Sequence, residues 1–507
     1  MGKKTQSQSQ NNSNKLRGLN KKAKSAKEEK ELLETVDSLL RLTTLPTHSN
    51  IPQSLECQKQ IAVYLDRIKF LEEKLLKKQN KISASNVPAI ESQGSQRGEE
   101  TIKNFTKWLK ENGAEIHGCS IVHFEGYDLG IRVDQDISQN SLVIAIPRKV
   151  MMSVESAKKS MVQDLLNKVE ILKNMPNVLL TIYLLIEKIS NNPFWRPYID
   201  ILPKSYNTVL TYTVNELEEL KGSPTLEIAL KQIKSIVRQY AYFHKLFWTM
   251  DDPVSELMKA KFTFSEYCWA VSTVMTRQNK IPSEDRSSAI NALIPFWDLC
   301  NHSNGTISTD YNPELDRSEC LAFRDFKVGE QLFIFYGPRS NSDFFIHNGF
   351  VYEENENDIY WIRLGISKSD PLQEKRRELL DKLEIWSIAE FCLKKGANPV
   401  DGRLLAFLRV FNMDEEKLDH WLKSEKVLDL QHPDCSLDTA LEKKSWTFLE
   451  TRLNLLLASY KTKIDEDRHL LSSEGLSENA RLAIRMRFTE KKLLNDCLQY
   501  VHEMMQK

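Results

Sequence analysis

Two stretches hold the side chains best able to do chemistry. Asn301 and His302 form a polar pair, and about thirty residues later the apolar run Gln331-Leu332-Phe333-Ile334-Phe335 closes on Tyr336 and Gly337. The run reads as a strand. A loop carrying Asn-His can thread beside such a strand, so that backbone amides, an Asn amide and a phenol face one pocket. Taken singly, a Tyr-Gly at a strand end is more often a turn with a packed aromatic, and an Asn-His pair more often plain loop polarity. Their order and spacing together carry the functional reading. The eight cysteines, Cys57, Cys119, Cys268, Cys300, Cys320, Cys392, Cys435 and Cys497, show no Cys-x-x-Cys spacing, so neither a zinc cluster nor a disulfide framework is legible.

The elements that must position these groups follow from patterning. Residues 1–29 are rich in Gln, Ser, Asn and Lys and read as a disordered basic tail, in which Lys21, Lys22, Lys24 and Lys27 form either a solvated charge run or a nuclear address. Residues 30–82 carry apolar positions at helical spacing (Leu32, Val36, Leu39; Ile61, Leu65, Ile68, Leu75), and 83–98 read as a linker. A short helix around Trp108 ends at Asn112-Gly113, and strands follow over 116–124 and 141–146. A helical insertion is expected over about 175–285, including Val178 to Ile189 and Thr225 to Phe247. Beyond Ser369 the pattern is read as wholly helical, with Asp414 as an N-cap, Met413 and Leu418 as a hydrophobic staple, and Trp446, Leu449, Leu453 and Leu456 on one face.

At 507 residues the chain is long enough for two or three domains, and Lys plus Arg equals Asp plus Glu at 70 each. No global charge draws it to nucleic acid or to an anionic membrane. No apolar run reaches the roughly 18 residues of a membrane span. The start has neither a signal-peptide core nor a myristoylation pattern, since Gln6 stands where Ser or Thr is needed. The expectation is a soluble, cytoplasmic and monomeric protein, with a nuclear address left open by the basic run.

The Asn301-His302 and Tyr336-Gly337 combination resembles the SET-domain methyltransferases, and the inserted helices fit the subgroup that resembles the Rubisco large-subunit lysine methyltransferase. The resemblance covers roughly 97–369, with looser agreement to the C-terminus. It implies an α+β fold: a SET-domain β fold with a knot-like crossing and a helical insertion, over 99–369, followed by an all-α substrate-binding domain over 370–507. It also implies S-adenosylmethionine as cofactor, S-adenosylhomocysteine as product and no metal. Methyl transfer from a sulfonium needs an in-line nucleophile, a narrow dry pocket and acceptors around the methyl.

The resemblance places roles on residues. Tyr336 matches the tyrosine lining the methyl-transfer channel. Asn301 and His302 match the cofactor-binding pair, with Asp298, Leu299 and Cys300 on the same loop. Arg277 matches the arginine that meets the cofactor carboxylate, which suits its planar fork, although alone it equally suits a salt bridge. Tyr127, Asp128 and Leu129 lie in the early loop that cradles the cofactor; Asn348, Gly349 and Phe350 match the stretch closing over adenine; Arg97 reaches back from the linker. Two positions depart from the family pattern. Asp128-Leu129-Gly130 stands where Gly-x-Gly is usual, which puts cofactor affinity in question, though Asp tolerates left-handed backbone better than most residues. Asn348 stands where a relative has Ser.

A closer resemblance is to members of the subgroup that methylate a histidine of actin. It is carried by Tyr240-Ala241-Tyr242-Phe243, Met275-Thr276-Arg277-Gln278-Asn279, Leu293-Ile294-Pro295-Phe296-Trp297-Asp298-Leu299-Cys300-Asn301-His302, Phe335-Tyr336-Gly337 with Arg339, and Leu405 to Phe411. It implies actin as partner and substrate, Asn279 holding the ring nitrogen that is not methylated, and Trp297, Arg339 and Gln278 at the substrate. Asn279 as a turn residue and Trp297 as core are the rival readings. Chemistry favours taking histidine seriously: a lysine must shed a proton from a pKa near 10.4, roughly 4.6 kcal/mol at pH 7, whereas imidazole is already mostly neutral. A Rubisco-type lysine enzyme and a non-catalytic actin-binding scaffold remain the alternatives.

Overall fold

The computed structural model describes residues 26–46, 50–83, 97–259, 261–435 and 437–506. The described residues fall into two compact units, one formed by the chain up to Tyr206 together with Leu230–Tyr336, the other by Asn207–Ala229 and Gly337 onward.

In the first unit, three small sheets are built from strands β1 (Glu115–Ile116), β2 (Cys119–Phe124), β3 (Asp128–Val133), β4 (Leu142–Pro147), β5 (Met152–Ser153), β6 (Gln278–Pro282), β7 (Ala289–Leu293), β8 (Asn301–His302), β9 (Thr309–Asn312), β10 (Arg317–Leu321) and β11 (Gln331–Ile334). Their orders are β1-β4-β10-β9, β2-β3-β11-β8 and β5-β7-β6. The second of these positions the chemistry. Strand β11 pairs antiparallel with β3 on one edge and parallel with the short β8 on the other, in the register Phe333↔Asn301 and Ile334↔His302. Parallel neighbours need a crossover, and here the chain makes it through β9 and β10.

Helices fill the space between β5 and β6. Pro176–Ile189 is buried from Val178 to Glu187 on every face, as its sequence PNVLLTIYLLIEKI requires, with Pro at its first turn. It packs on Phe264–Arg277, which is capped by Thr263. Helical structure here begins at Val154, earlier than the expected 175, and ends at Arg277; residues 278–282, inside the expected bounds of the insertion, form β6, whose pairing with β7 wins over local pattern. No helix among the described residues is long and apolar enough to cross a membrane.

At the N-terminus the expected tail and linker lie largely outside the described residues. Where they are described, one boundary moves: 26–29 already belong to the helix of 26–44, because Glu28 is buried between Lys74 and Lys78 of the next helix, Ile51–Ser83. Charge pairing, not an apolar face, holds that turn, so periodicity missed it.

The second unit corrects the all-helical expectation. Strands β12 (Ile359–Gly365) and β13 (Ile388–Lys394) form an antiparallel hairpin from Ile359↔Lys394 to Gly365↔Ile388. Alternate residues Tyr360, Ile362, Leu364 and Ala389, Phe391, Leu393 are buried against the helices Gly402–Asn412, Thr439–Ser459 and Glu478–Gln506. Asp414 caps Glu415–Lys423 by accepting from the Lys417 N–H, and Met413 and Leu418 are both buried beside it.

Candidate functional site

The site is assembled where β3, β8 and β11 meet. The Asn301 amide donates to Gln331 Oε1 at 2.7 Å and to the Leu129 carbonyl at 3.3 Å, so one side chain ties three strands. Gln331, a polar residue opening an apolar strand and nearly buried, is a partner that sequence reasoning missed; its polarity on that strand was the available signal. Gly130 sits under this knot. A Cβ there would lie 2.7 Å from Gln331 Oε1, 2.8 Å from the Phe124 ring and 3.0 Å from Asn301 Nδ2, so no larger residue fits.

Asp128, at the position where glycine is usual, adopts φ +64. The backbone conformation that glycine would supply is thus kept by an aspartate, at an expense on the order of 1 kcal/mol. Its carboxylate is engaged by Arg97 and lies 3.2 Å from His123 Nδ1. Arg97 also donates to the Ile201 carbonyl at 2.9 Å. Burial, and the nearby Arg277, lower the Arg97 pKa against the pull of Asp128. Tyr127 is exposed on this flank, edge-on to Phe333 at 5.7 Å.

On the other side, Phe296 takes φ +68, a strained conformation for a bulky residue, and so turns the 3-10 segment Trp297–Leu299 inward. Asp298 is brought 3.5 Å from the Arg277 guanidinium, which also donates to the Asp298 carbonyl, while Tyr198 donates to Asp298 Oδ2 at 2.7 Å. Burial pushes the Asp298 carboxyl up, against Arg277 and Tyr198. For Arg277, burial works against the charge, but Tyr206, Asp298 and Tyr198 outweigh it and hold its pKa above the ordinary value. Arg277 Nε and Asp298 Oδ1 are buried with no hydrogen-bond partner among the described residues. A donor and an acceptor left open in one buried pair suit a ligand bearing both a carboxylate and an ammonium. Tyr198, a hundred residues upstream, gave no sequence signal.

Tyr336 closes the arrangement. Its hydroxyl donates to the Cys300 carbonyl at 2.7 Å and its N–H to His302 Nδ1 at 3.2 Å, with the two rings 5.1 Å apart. The next residue, Gly337, turns the chain at φ +97. Leu299 and Cys300 contribute buried side chains, so it is the Cys300 backbone that faces polar chemistry.

The proposed substrate residues divide. Asn279 Nδ2 donates to the Arg277 carbonyl at 3.1 Å, which fixes its amide and leaves Oδ1 as an acceptor. Gln278 is its neighbour on β6 and so faces the opposite side of the sheet, where it accepts from Asn291 at 2.9 Å; the structure does not bring it to the Asn279 side. Trp297 is buried in the core. Arg339, Asn348, Gly349 and Phe350 belong to the second unit, where Arg339 donates to Asn348 Oδ1 at 3.2 Å and Phe350 stacks on Phe344 at 4.8 Å.

Comparison with known proteins agrees with this architecture. The SET domain family model matches residues 128–337, and the Rubisco LSMT substrate-binding model matches 367–494. Among solved structures, the SET domain of LSMT bound to lysine and AdoHcy aligns with a TM-score of 0.64 at 21% identity, covering 80% of this chain and 92% of that one. Rubisco LSMT bound to AdoMet aligns with a TM-score of 0.62 at 22% identity and the same coverage. These two share the fold. The human protein named actin-histidine N-methyltransferase is 41% identical over 437 residues, 85% of this chain and 72% of that protein. The chicken protein of that name is 40% identical over 474 residues, 93% of this chain and 77% of its own length. The chain belongs to the SET-domain methyltransferases, in the family of the actin-histidine N-methyltransferases.

Proposed function

We propose that this protein transfers a methyl group from S-adenosylmethionine to an imidazole nitrogen of one histidine in actin. The observation that carries the reading is the Tyr336 geometry. Its hydroxyl donates to the Cys300 carbonyl at 2.7 Å, which sets a phenol oxygen beside a backbone acceptor, the polarity a positively charged methyl requires. The identity of 40–41% to the named histidine enzymes over most of the chain supports the choice of acceptor.

S-adenosylmethionine, when bound, supplies a methyl on a positively charged sulfur. Arg277 and Asp298 are the residues suited to its carboxylate and ammonium, because each keeps one buried polar atom open. Asn301 acts by fixing β3, β8 and β11 relative to one another, since both of its amide bonds go to protein acceptors. His302 Nδ1 accepts from the Tyr336 N–H and so sets where the phenol begins. Asn279 Oδ1 is suited to accept from an imidazole N–H, which leaves the lone pair on the other ring nitrogen and selects the reactive tautomer.

A lysine acceptor is the second reading, favoured by the fold likeness to the lysine-bound LSMT structure. It requires deprotonation worth roughly 4.6 kcal/mol at pH 7, a requirement neutral imidazole does not have.

The test of the site is Tyr336→Phe. Turnover is expected to drop by about ten- to a thousandfold while the dissociation constant for S-adenosylmethionine changes by less than about threefold, because the hydroxyl acts on the transferring methyl more than on the bound ground state. Calorimetric titration and steady-state rates separate the two. Unchanged turnover would make Tyr336 a packed strand end.

A further inference from the structure

The ion pair of Arg277 and Asp298 is loose, and a tyrosine that the proposed reaction does not use keeps it so. Arg277 Nη1 donates to the Asp298 carbonyl and lies 3.5 Å from Asp298 Oδ2, well beyond the roughly 2.7–2.9 Å of a closed charge-assisted pair. The hydrogen bond to Oδ2 comes instead from the Tyr198 hydroxyl, at 2.7 Å. A carboxylate beside a guanidinium ordinarily closes on it through two parallel bonds, because the planar fork matches both oxygens. Here Oδ2 is taken by the phenol, while Asp298 Oδ1 and Arg277 Nε have no hydrogen-bond partner among the described residues.

Tyr198 is itself fixed. Its side chain is fully buried and its ring stacks on Phe105 with 6.3 Å between centroids, and the helix that carries it, Arg196–Ile201, is tied by its last carbonyl to Arg97 at 2.9 Å. Burial, and the Asp298 carboxylate beside it, push the phenol far above its ordinary range, so it keeps its proton at pH 7 and stays a donor. Being uncharged, it restrains the carboxylate without adding a second cation. The consequence concerns Arg277. A guanidinium closed on its own aspartate has its charge and two of its donors spent before a ligand arrives, whereas one held apart keeps both for a carboxylate from outside. Of the two side chains the arginine is the more open, 13% against 1% exposed, and is the one able to meet such a ligand.

We propose that Tyr198 is a positioning residue for cofactor binding, holding the Asp298 carboxylate off Arg277 so that the guanidinium stays available to the carboxylate of S-adenosylmethionine. This rests on the assignment of Arg277 to that carboxylate. Without the hydroxyl, Asp298 closes on Arg277 and the two neutralise one another.

The test is calorimetric titration of the full-length protein with S-adenosylhomocysteine and with methylthioadenosine, which shares the adenosine and thioether but lacks the amino-acid end. The wild type is expected to bind S-adenosylhomocysteine at least about tenfold more tightly, the difference a charged hydrogen bond makes. Tyr198→Phe should weaken S-adenosylhomocysteine by about tenfold and change methylthioadenosine affinity by less than about twofold, the retained binding showing that the pocket is folded. In an Asp298→Asn background, where no carboxylate can close on Arg277, Tyr198→Phe should weaken S-adenosylhomocysteine by less than about threefold. Equal loss of both ligands overturns the proposal, since Tyr198 then supports the pocket as a whole, and unchanged affinity for both overturns it too. A tenfold loss that persists with Asp298→Asn overturns it as well, because the tyrosine then does not act through the aspartate. If the wild type binds the two ligands equally, the assignment of Arg277 to the carboxylate fails, and this inference with it.

Discussion

The cofactor-side loop shows how far single residues determine this site. Only one of the two usual glycines remains, and the structure gives each position a different demand. At 128 the demand is a left-handed backbone, φ +64, which aspartate can meet. At 130 it is the absence of a side chain, which only glycine meets. Gly130→Ala is therefore expected to force apart Gln331, Asn301 and Phe124, destabilising the protein by about 1–3 kcal/mol and weakening S-adenosylmethionine binding with it. Urea unfolding and calorimetry check both, and wild-type values in both would mean that the three-strand tie does not position the site. Asn279→Ala tests the other end. If its Oδ1 orients the acceptor ring, turnover on actin should fall by about ten- to a hundredfold with cofactor affinity intact, the effect of one oriented hydrogen bond. A silent substitution would leave Asn279 as a structural residue at the start of β6. Gln278, read from sequence as a substrate contact, is held by Asn291 on the face of β6 opposite to Asn279, because successive residues of a strand point to opposite sides.

At the scale of elements, the sequence made the Tyr336 strand and the long amphipathic helices legible because apolar periodicity reports burial. It did not reveal β13, nor that 26–29 are helical. Strand β13 exists because β12 pairs with it, and the first helical turn of 26–44 exists because Glu28 finds two lysines. Both are tertiary decisions. The helix Glu478–Gln506 carries a third. Its Glu490 accepts from Ser223, Thr225 and Tyr460, each at 2.8 Å, and burial still pushes it to about 7 from an ordinary 4.5. Between those values the folded chain holds a proton that the unfolded chain has lost, so stability declines as pH rises through that window and stays lower above it. The decline attributable to Glu490 is about 3 kcal/mol at most. Glu490→Gln cannot ionise, so its unfolding free energy should drop less than that of the wild type between about pH 5 and about pH 8. Parallel declines in urea titrations would show that Glu490 has the same proton affinity in both states.

Across the whole molecule, relatives named for histidine methylation match 85–93% of the chain, while the solved lysine-bound enzyme matches the fold at 21% identity. The motif strings from Met275 to Asn279 and from Leu293 to His302 made this family membership readable without a structure. The division into units was not readable, because 207–229 joins residues beyond 337 through contacts far apart in sequence. What the molecule does with both units rests on the identity of the acceptor atom. Incubating the full-length protein with methyl-labelled S-adenosylmethionine and actin, and mapping the labelled peptide by fragmentation mass spectrometry, tests that directly. The account predicts a single methyl on an imidazole nitrogen of one actin histidine, absent with Tyr336→Phe. A label on a lysine, or no label on actin from protein that binds the cofactor, would contradict it.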